Sequence, residues 1–133
     1  MILIGENIHV ISKQVREALI NRDEKFISEL IKIQSNMDFI DLNIGPAKGD
    51  MEGVLSWLAS LVKKYSDLNI SFDTTNSDEM RNGLENFDGK TFINSTSSDE
   101  PRLSRMTDMA AEFGSNLIAL TLSKETGIPK TSD

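Results

Sequence analysis

The sequence predicts an α/β fold in which parallel strands alternate with helices. Three observations support this prediction: short apolar runs recur along the 133 residues, amphipathic patterns separate the runs, and polar residues follow most of them. Strands that alternate with helices are joined by right-handed crossovers, which produce a parallel sheet. Periodicity alone leaves two alternatives open, an open doubly wound sheet and part of a (β/α)₈ barrel.

The predicted helices begin at residues that cap helices well. Ser12 and Asp23 each precede a short amphipathic pattern, and either side chain can accept a hydrogen bond from the first turn. The clearest helix follows Asp50, and another lies between Pro101, which suits a first turn, and Gly114, which suits a C-terminal cap. The remaining helix spans 77–87, and the strands span 2–6, 37–43, 69–73, 91–94 and 116–121.

The composition indicates one globular domain over residues 1–133. Hydrophobic residues make up 38% and the net charge is -7, a balance that argues against binding a nucleic-acid backbone. The chain has no cysteine and one histidine, so we expect no bound metal. No apolar stretch approaches the roughly 20 residues of a membrane span, and we expect a cytoplasmic protein.

The residues suited to binding chemistry lie at the ends of the predicted strands. The carboxyl ends of parallel strands meet at one edge of the sheet, where α/β folds bind ligands. We therefore expect these side chains to converge. They are Glu6, Asn7, Asp41, Asn43, Asp73, Thr74, Asn94, Ser95 and Thr121.

Strand alternation separates the polar and apolar residues of the second and third strands. Asp41 and Asn43 lie two positions apart and share a face, as do Ser71 and Asp73. The apolar residues between them should pack under the helices, which leaves the polar set facing inward. A carboxylate held there needs hydrogen-bond donors, and a ligand with adjacent N–H groups is a natural source.

Five segments, in order, resemble a known family. They are IGENIH at 4–9, DLNIGP at 41–46, SFDTTN at 71–76, INSTS at 93–97 and LIALTLSKETGIPKTSD at 117–133. Together they are similar to the methyltetrahydrofolate:corrinoid methyltransferases. That resemblance implies a TIM barrel that binds a reduced folate at its C-terminal mouth and exchanges a methyl group with the cobalt of a separate corrinoid protein.

The resemblance also implies roles for individual residues. Asp73 would accept hydrogen bonds from the pterin ring N–H and the exocyclic amino group, and Asn94 would bind another edge of the ring. A carboxylate opposite two donors gives bidentate recognition. Further pterin contacts are expected from Asp41, Asn43, Glu6 and Asn7.

The family's remaining functional residues are expected beyond Asp133. Loss of the methyl group from N5 needs protonation or strong hydrogen bonding there, and the resemblance assigns this to an asparagine on a late strand. We expect the chain to be an N-terminal half barrel that stops before strands six to eight and is inactive alone. Two free sheet edges then lead us to expect a homodimer or completion by a second half barrel.

His9 departs from the family pattern. The family commonly has an asparagine where this chain has the histidine of Gly5-Glu6-Asn7-Ile8-His9. We expect His9 to have a loop or capping role.

Dihydropteroate synthase is an alternative enzyme with a similar fold and similar Asp73 and Asn94 positions. Its first-strand block normally continues Asn-x-Thr-Pro-Asp-Ser, whereas this chain continues HVISK from residue 9. The pattern therefore favours the methyltransferases.

A non-catalytic alternative is an open, flavodoxin-like binding or receiver module. Glu6, Asp73, Thr121 and Lys124 imitate the acidic, hydroxyl and lysine positions of a receiver. A single acid follows the first strand, however, and Asp41 with Asn43 has no place in that scheme.

Overall fold

Strands and helices alternate along the chain in a computed structural model that describes residues 1–123 and 127–128. The strands are β1 (Ile4–His9), β2 (Phe39–Gly45), β3 (Asn69–Thr74), β4 (Thr91–Thr96) and β5 (Asn116–Ala119). The helices are α1 (Lys13–Ile20), α2 (Glu24–Lys32), α3 (Val54–Tyr65), α4 (Ser77–Glu85) and α5 (Arg102–Phe113), with a 3-10 turn at Gly49–Met51.

The order of the strands decides between the two α/β architectures. The sheet runs β1-β2-β3-β4-β5 and every neighbouring pair is parallel. A flavodoxin-like sheet has the order 2-1-3-4-5 and reverses direction at a switch point. This sheet never reverses, so the flavodoxin-like alternative is wrong. Sequential right-handed crossovers place the helices on one side of the sheet, as in part of a TIM barrel.

The predicted helix ends are confirmed by their hydrogen bonds. The side chains of Ser12 and Asp23 each accept a hydrogen bond from the backbone N–H three residues later. Gly114 follows α5 with φ of 62°, a left-handed conformation that costs least at glycine. These helix ends therefore depend on local chemistry.

The start of α3 depends on a residue from another helix. Gly53 precedes α3 and has no side chain with which to cap it. The buried carboxylate of Glu79, in α4, accepts hydrogen bonds from the backbone N–H groups of Gly53 (2.7 Å) and Leu55 (3.2 Å). A carboxylate at a helix N-terminus also meets the positive end of the helix dipole. Glu79 thus joins α4 to α3.

The hydrophobic core lies between the sheet and the helices. Phe72 of β3 is fully buried and meets Phe87 edge-to-face, with ring centroids 6.5 Å apart. The helices contribute buried aliphatic residues, and those of the clearest predicted helix, α3, are the most numerous. The largest fully buried side chains are Phe72, Ile8, Leu19, Ile27, Ile31, Ile40, Leu42, Ile44, Leu55, Leu58, Ile70 and Met80.

Several element boundaries differ from the prediction. The strands predicted at 2–6, 37–43 and 91–94 reach further, to His9, Gly45 and Thr96, because their polar ends still pair with neighbouring strands. The first two also begin two residues later than predicted, since Met37 lies in a turn and donates to the carbonyl of Gln34. The fifth strand ends at 119 rather than 121, and α4 ends at 85 rather than 87.

None of the helices in the described part of the chain combines the length and apolar character needed to cross a bilayer.

Candidate functional site

Four polar residues form one row across the carboxyl edge of the sheet. The register pairs His9 with Asn43, Asn43 with Asp73, and Asp73 with Asn94. Register partners in a parallel sheet point to the same face. This polar row therefore lies opposite the helices, and the predicted convergence of Asn43, Asp73 and Asn94 is confirmed.

Asn43 and Asp73 form the centre of the polar row. The Asn43 side-chain Nδ2 donates to Asp73 Oδ2 at 2.7 Å, and its Oδ1 accepts from the backbone N–H of Gly45 at 3.2 Å. Because that N–H needs an oxygen opposite it, the amide is oriented with its NH₂ group towards Asp73. The other carboxylate oxygen, Asp73 Oδ1, accepts no hydrogen bond from the described residues.

Asp41 lies two positions before Asn43 on β2, deeper in the sheet than the polar row, and it supports Asn94 by a hydrogen bond. It is only 4% exposed. Its Oδ1 accepts hydrogen bonds from the Ser71 hydroxyl at 2.6 Å and from Asn94 Nδ2 at 3.1 Å. These contacts fix the amide of Asn94 and leave Asp41 little access to a ligand.

Burial makes Asp41 and Asp73 weaker acids, because it disfavours the charged form of each carboxyl. Burial and the nearby charges of Asp41 and Glu6 raise the pKa of Asp73 to about 6, against the lowering effects of Asn43 and Arg102. Burial, with the charge of Glu6, also raises the pKa of Asp41, and its hydrogen bonds from Ser71 and Asn94 lower it. A ligand that brings N–H donors would favour the ionised form of Asp73.

Irregularities in the sheet lie beside these residues. The register shifts between Asn43 and Gly45, and again between Asn94 and Thr96. Such bulges bend a strand and redirect the side chains next to them, and they are common at the rims of barrels. The sheet thus departs from regular pairing next to the polar row.

Arg102 holds the ends of β3 and β4 together, and the sequence did not reveal it. Its guanidinium donates to the backbone carbonyls of Ser95 (2.7 Å), Thr75 (3.2 Å) and Thr74 (3.4 Å). Ser95 and Thr74 follow Asn94 and Asp73 directly. One sign was available: a cation at the first position of a helix opposes the helix dipole, so Arg102 is poorly placed unless its charge serves another contact.

The sequence also predicted two site residues on β1. Glu6 and Asn7 are exposed and lie at a register shift between Gly5 and Ile8. The charge of Glu6 reaches both aspartates, whereas Asn7 uses its backbone N–H to bond Gln34 Oε1 at 3.2 Å. Pterin contacts by either side chain stay predictions.

His9 ends β1 instead of lying in the loop after it. Among buried side-chain nitrogen and oxygen atoms of the described residues, its Nδ1 is the one that has no hydrogen-bond partner. Thr74 and Ser95 lie at the same edge, and Thr121 follows the end of β5. Lys124 lies outside the described residues.

The described residues include no group of three or more His, Cys, Asp or Glu side chains arranged to hold a metal ion. The arrangement leaves one carboxylate oxygen, Asp73 Oδ1, and the amide oxygen of Asn94 to accept hydrogen bonds from a ligand.

Comparison with known proteins identifies the family. The sequence model of the family described as "Pterin binding enzyme" matches residues 38–132, which include β2 to β5 and the aspartates and amides of the site. The chain belongs to this family. Methionine synthase of Mycobacterium tuberculosis (strain ATCC 25618 / H37Rv) is 29% identical to this chain in an alignment that covers 94% of the chain. The chain spans 11% of the length of that relative.

Proposed function

We propose that the polar row binds a tetrahydrofolate-type pterin, and that the protein moves a methyl group between this pterin and the cobalt of a corrinoid protein. The supporting observation concerns the carboxylate of Asp73: its Oδ2 accepts a hydrogen bond from Asn43, whereas its Oδ1 accepts no hydrogen bond from the described residues. A reduced pterin has a ring N–H beside an exocyclic amino group, which suits a carboxylate held at the end of a strand.

The neighbouring amides would orient the pterin ring. Asn94 donates to Asp41 through Nδ2, so its Oδ1 is available for a donor on the ligand. Fixed donors and acceptors position a ligand without reorganisation when it binds. Asp41 acts in this scheme as a positioning residue for Asn94, and Arg102 positions the strand ends that hold Asp73 and Asn94.

Methyl transfer requires the N5–CH₃ bond to break while its electron pair stays on N5. The nitrogen becomes a feasible leaving group when it takes up a proton as the bond breaks. The family resemblance assigns assistance of this step to an asparagine on a late strand. Similarity to methionine synthase supports methyl chemistry, because the sulfur of methionine carries a methyl group.

We further propose that additional (β/α) units complete the barrel, either from a second copy of the chain in a homodimer or from a second half barrel. Apolar side chains near the edges of the sheet support this: Ile2 is 60% exposed beside β1, and Leu120 is 42% exposed after β5. An uncovered strand edge with apolar neighbours favours association.

Calorimetric titration of the complete natural protein with 5-methyltetrahydrofolate tests the pterin site. Asp73→Asn should weaken binding roughly 100-fold, since two hydrogen bonds to a charged group contribute about 1.5–3 kcal/mol each and the amide replaces one acceptor by a donor. Asp88→Asn is the matched control, because Asp88 pairs with Lys63 at the surface. Absence of binding by the unaltered protein would sink the proposal.

The reaction is tested by mixing the protein with methyltetrahydrofolate and reduced cobalamin and following the cobalamin absorbance. Methyl transfer in either direction supports the proposal. Incorporation of p-aminobenzoate into dihydropteroate, with no methyl transfer, would instead assign the protein to the synthase alternative.

A further inference from the structure

We propose that the imidazole of His9 donates a hydrogen bond to the carbonyl oxygen at position 4 of the pterin ring, and so selects 4-oxo over 4-amino ligands. This inference rests on the proposed function and deepens it, because it assigns a specificity-determining residue to the same site. His9 is the first member of the polar row. Unlike the other three members, its side chain has no hydrogen bond to any of the described residues.

The backbone of β1 directs the His9 side chain towards the proposed ligand. Ile8, the residue before it, is 0% exposed and belongs to the core under the helices. Successive residues of a strand point to opposite faces, and the register pairs His9 with Asn43. A ligand bound to Asp73 therefore lies on the same side of the sheet as the imidazole.

The two ring nitrogens of His9 have different surroundings. Nδ1 is buried and has no hydrogen-bond partner among the described residues. Nε2 also bonds none of these residues, but it is not one of the buried unpartnered atoms, which leaves it accessible to a ligand. In a neutral imidazole one nitrogen carries the proton and the other accepts. A buried N–H without an acceptor is rarer in proteins than a buried acceptor without a donor, so we assign the proton to Nε2.

With this tautomer, the polar row has an acceptor half and a donor half. On β3 and β4 the atoms without a partner among the described residues are acceptors, Asp73 Oδ1 and Asn94 Oδ1. On β1 the corresponding atom is the donor His9 Nε2. Asn43 on β2 uses its oxygen on the Gly45 N–H and one N–H on Asp73, so its second N–H is also a donor. A ligand that spans the row thus meets acceptors on one side and donors on the other.

One edge of a reduced pterin has the complementary order of groups. It presents the amino group at position 2, the N–H at position 3 and the carbonyl oxygen at position 4, which are two donors followed by one acceptor. With the two donors opposite Asn94 and Asp73, the carbonyl oxygen faces β2 and β1. Neighbouring strands are about 4.8 Å apart, and the concave inside of a barrel brings the side-chain tips closer together. The Nε2–H of His9 then donates to that oxygen.

The same contact disfavours a ring that has an amino group at position 4. Such a ring presents a donor to the Nε2–H of His9, and two donors that face each other are left unpaired once the ligand displaces water. His9 cannot easily reverse its polarity, since a proton on Nδ1 would be a buried N–H without an acceptor. Specificity then comes from the penalty on the wrong hydrogen-bonding group.

Nitrogen-15 NMR of the complete natural protein, labelled at histidine, tests the tautomer and the contact. The signals that disappear in His9→Gln are those of His9. We expect a protonated Nε2 and an unprotonated Nδ1, and saturation with 5-methyltetrahydrofolate should shift the Nε2 signal more than the Nδ1 signal. A proton on Nδ1, or an Nε2 signal that does not move when the folate binds, would overturn the inference.

Calorimetry then compares 5-methyltetrahydrofolate with its 4-amino analogue. His9→Phe keeps a flat ring but has no nitrogen, so it should weaken binding of the 4-oxo ligand about ten-fold, the size of one hydrogen bond. Binding of the 4-amino analogue should be unchanged. His9→Gln is the matched control, because its amide nitrogen can reach the position of Nε2, and we expect its affinity for the 4-oxo ligand to stay within about two-fold of the unaltered protein.

Circular dichroism checks that both variants are folded. Equal weakening of the two ligands by His9→Phe, or equal losses in the two variants, would show that His9 acts through packing alone and would overturn the inference. If the unaltered protein binds 5-methyltetrahydrofolate and His9→Phe binds it equally well, the role of His9 fails and the proposed function stands. If the unaltered protein does not bind this folate, both fail.

Discussion

The two faces of β2 and β3 have opposite character along the same backbone. One face presents Ile40, Leu42, Ile70 and Phe72, all 0% exposed beneath the helices. The other face presents Asp41, Asn43, Ser71 and Asp73, joined by hydrogen bonds of 2.6–3.1 Å that also include Asn94. Burial stabilises the first face, whereas burial raises the pKa of both carboxyls on the second. The polar face therefore lowers the stability of the fold, and the apolar face offsets that loss.

The largest effect is expected from the apolar face. Phe72→Ala should lower the free energy of unfolding by about 3–5 kcal/mol, because it removes a fully buried ring and leaves a cavity. Urea denaturation measures the loss. The matched variant Phe92→Ala removes a partly buried ring on the face opposite the helices, and a loss as large as that of Phe72→Ala would contradict the contrast between the faces.

The next effect concerns a carboxylate that supports the helical layer. Glu79→Gln should lower the free energy of unfolding by about 1–2 kcal/mol, because a neutral amide accepts more weakly from the start of α3 and interacts less with its dipole. Thermal denaturation measures the change. Glu85→Gln on the same helix is the control, since Glu85 forms only a 3.9 Å contact with Arg81. Equal effects would show that the capping contacts add nothing.

On the polar face, a substitution at Asp73 should raise the free energy of unfolding instead of lowering it. Asp73→Asn removes a charge whose folded pKa, about 6, lies above its ordinary 3.8. The folded protein therefore binds this proton more tightly, and the destabilising charge is absent below about pH 4, develops up to pH 6 and is complete above it. At pH 7 the variant should be more stable by about 1 kcal/mol, after allowance for solvent screening of a half-exposed group.

Thermal denaturation of both proteins from pH 4 to pH 8 measures this difference. The gain should vanish towards pH 4, where both proteins are neutral at this position. A variant less stable than the unaltered protein at pH 7 would show that Asp73 stabilises the fold.

The smallest effect concerns Arg102. Its charge lowers the pKa of Asp73, so Arg102→Gln should raise the midpoint of the Asp73 titration by a few tenths of a pH unit, the size expected of a screened charge. Carbon-detected NMR of the labelled carboxyl measures the midpoint. Arg105→Gln, in the same helix and beside the Ser77 hydroxyl at 3.4 Å, is the control. A downward shift would contradict the proposed placement of charge.

In this protein the sequence by itself determined the alternation of strands and helices, the caps at Ser12 and Asp23, and the face on which Asp41, Asn43 and Asp73 lie. Each of these depends on residues only a few positions apart, so local chemistry is sufficient to predict them. It also indicated that Asn94 would lie near these residues, because Asn94 is a polar residue at the end of a predicted strand. The strand ends were less predictable, because pairing with neighbours extends polar segments that have no strand pattern of their own.

Only the tertiary structure decided the strand order, the alignment of His9, Asn43, Asp73 and Asn94 in one row, and the contacts of Glu79 and Arg102. The physical reason is distance along the chain: Asn94 bonds Asp41 across 53 positions, and Glu79 caps α3 across 26. Periodicity within a segment does not specify which segment will be its neighbour.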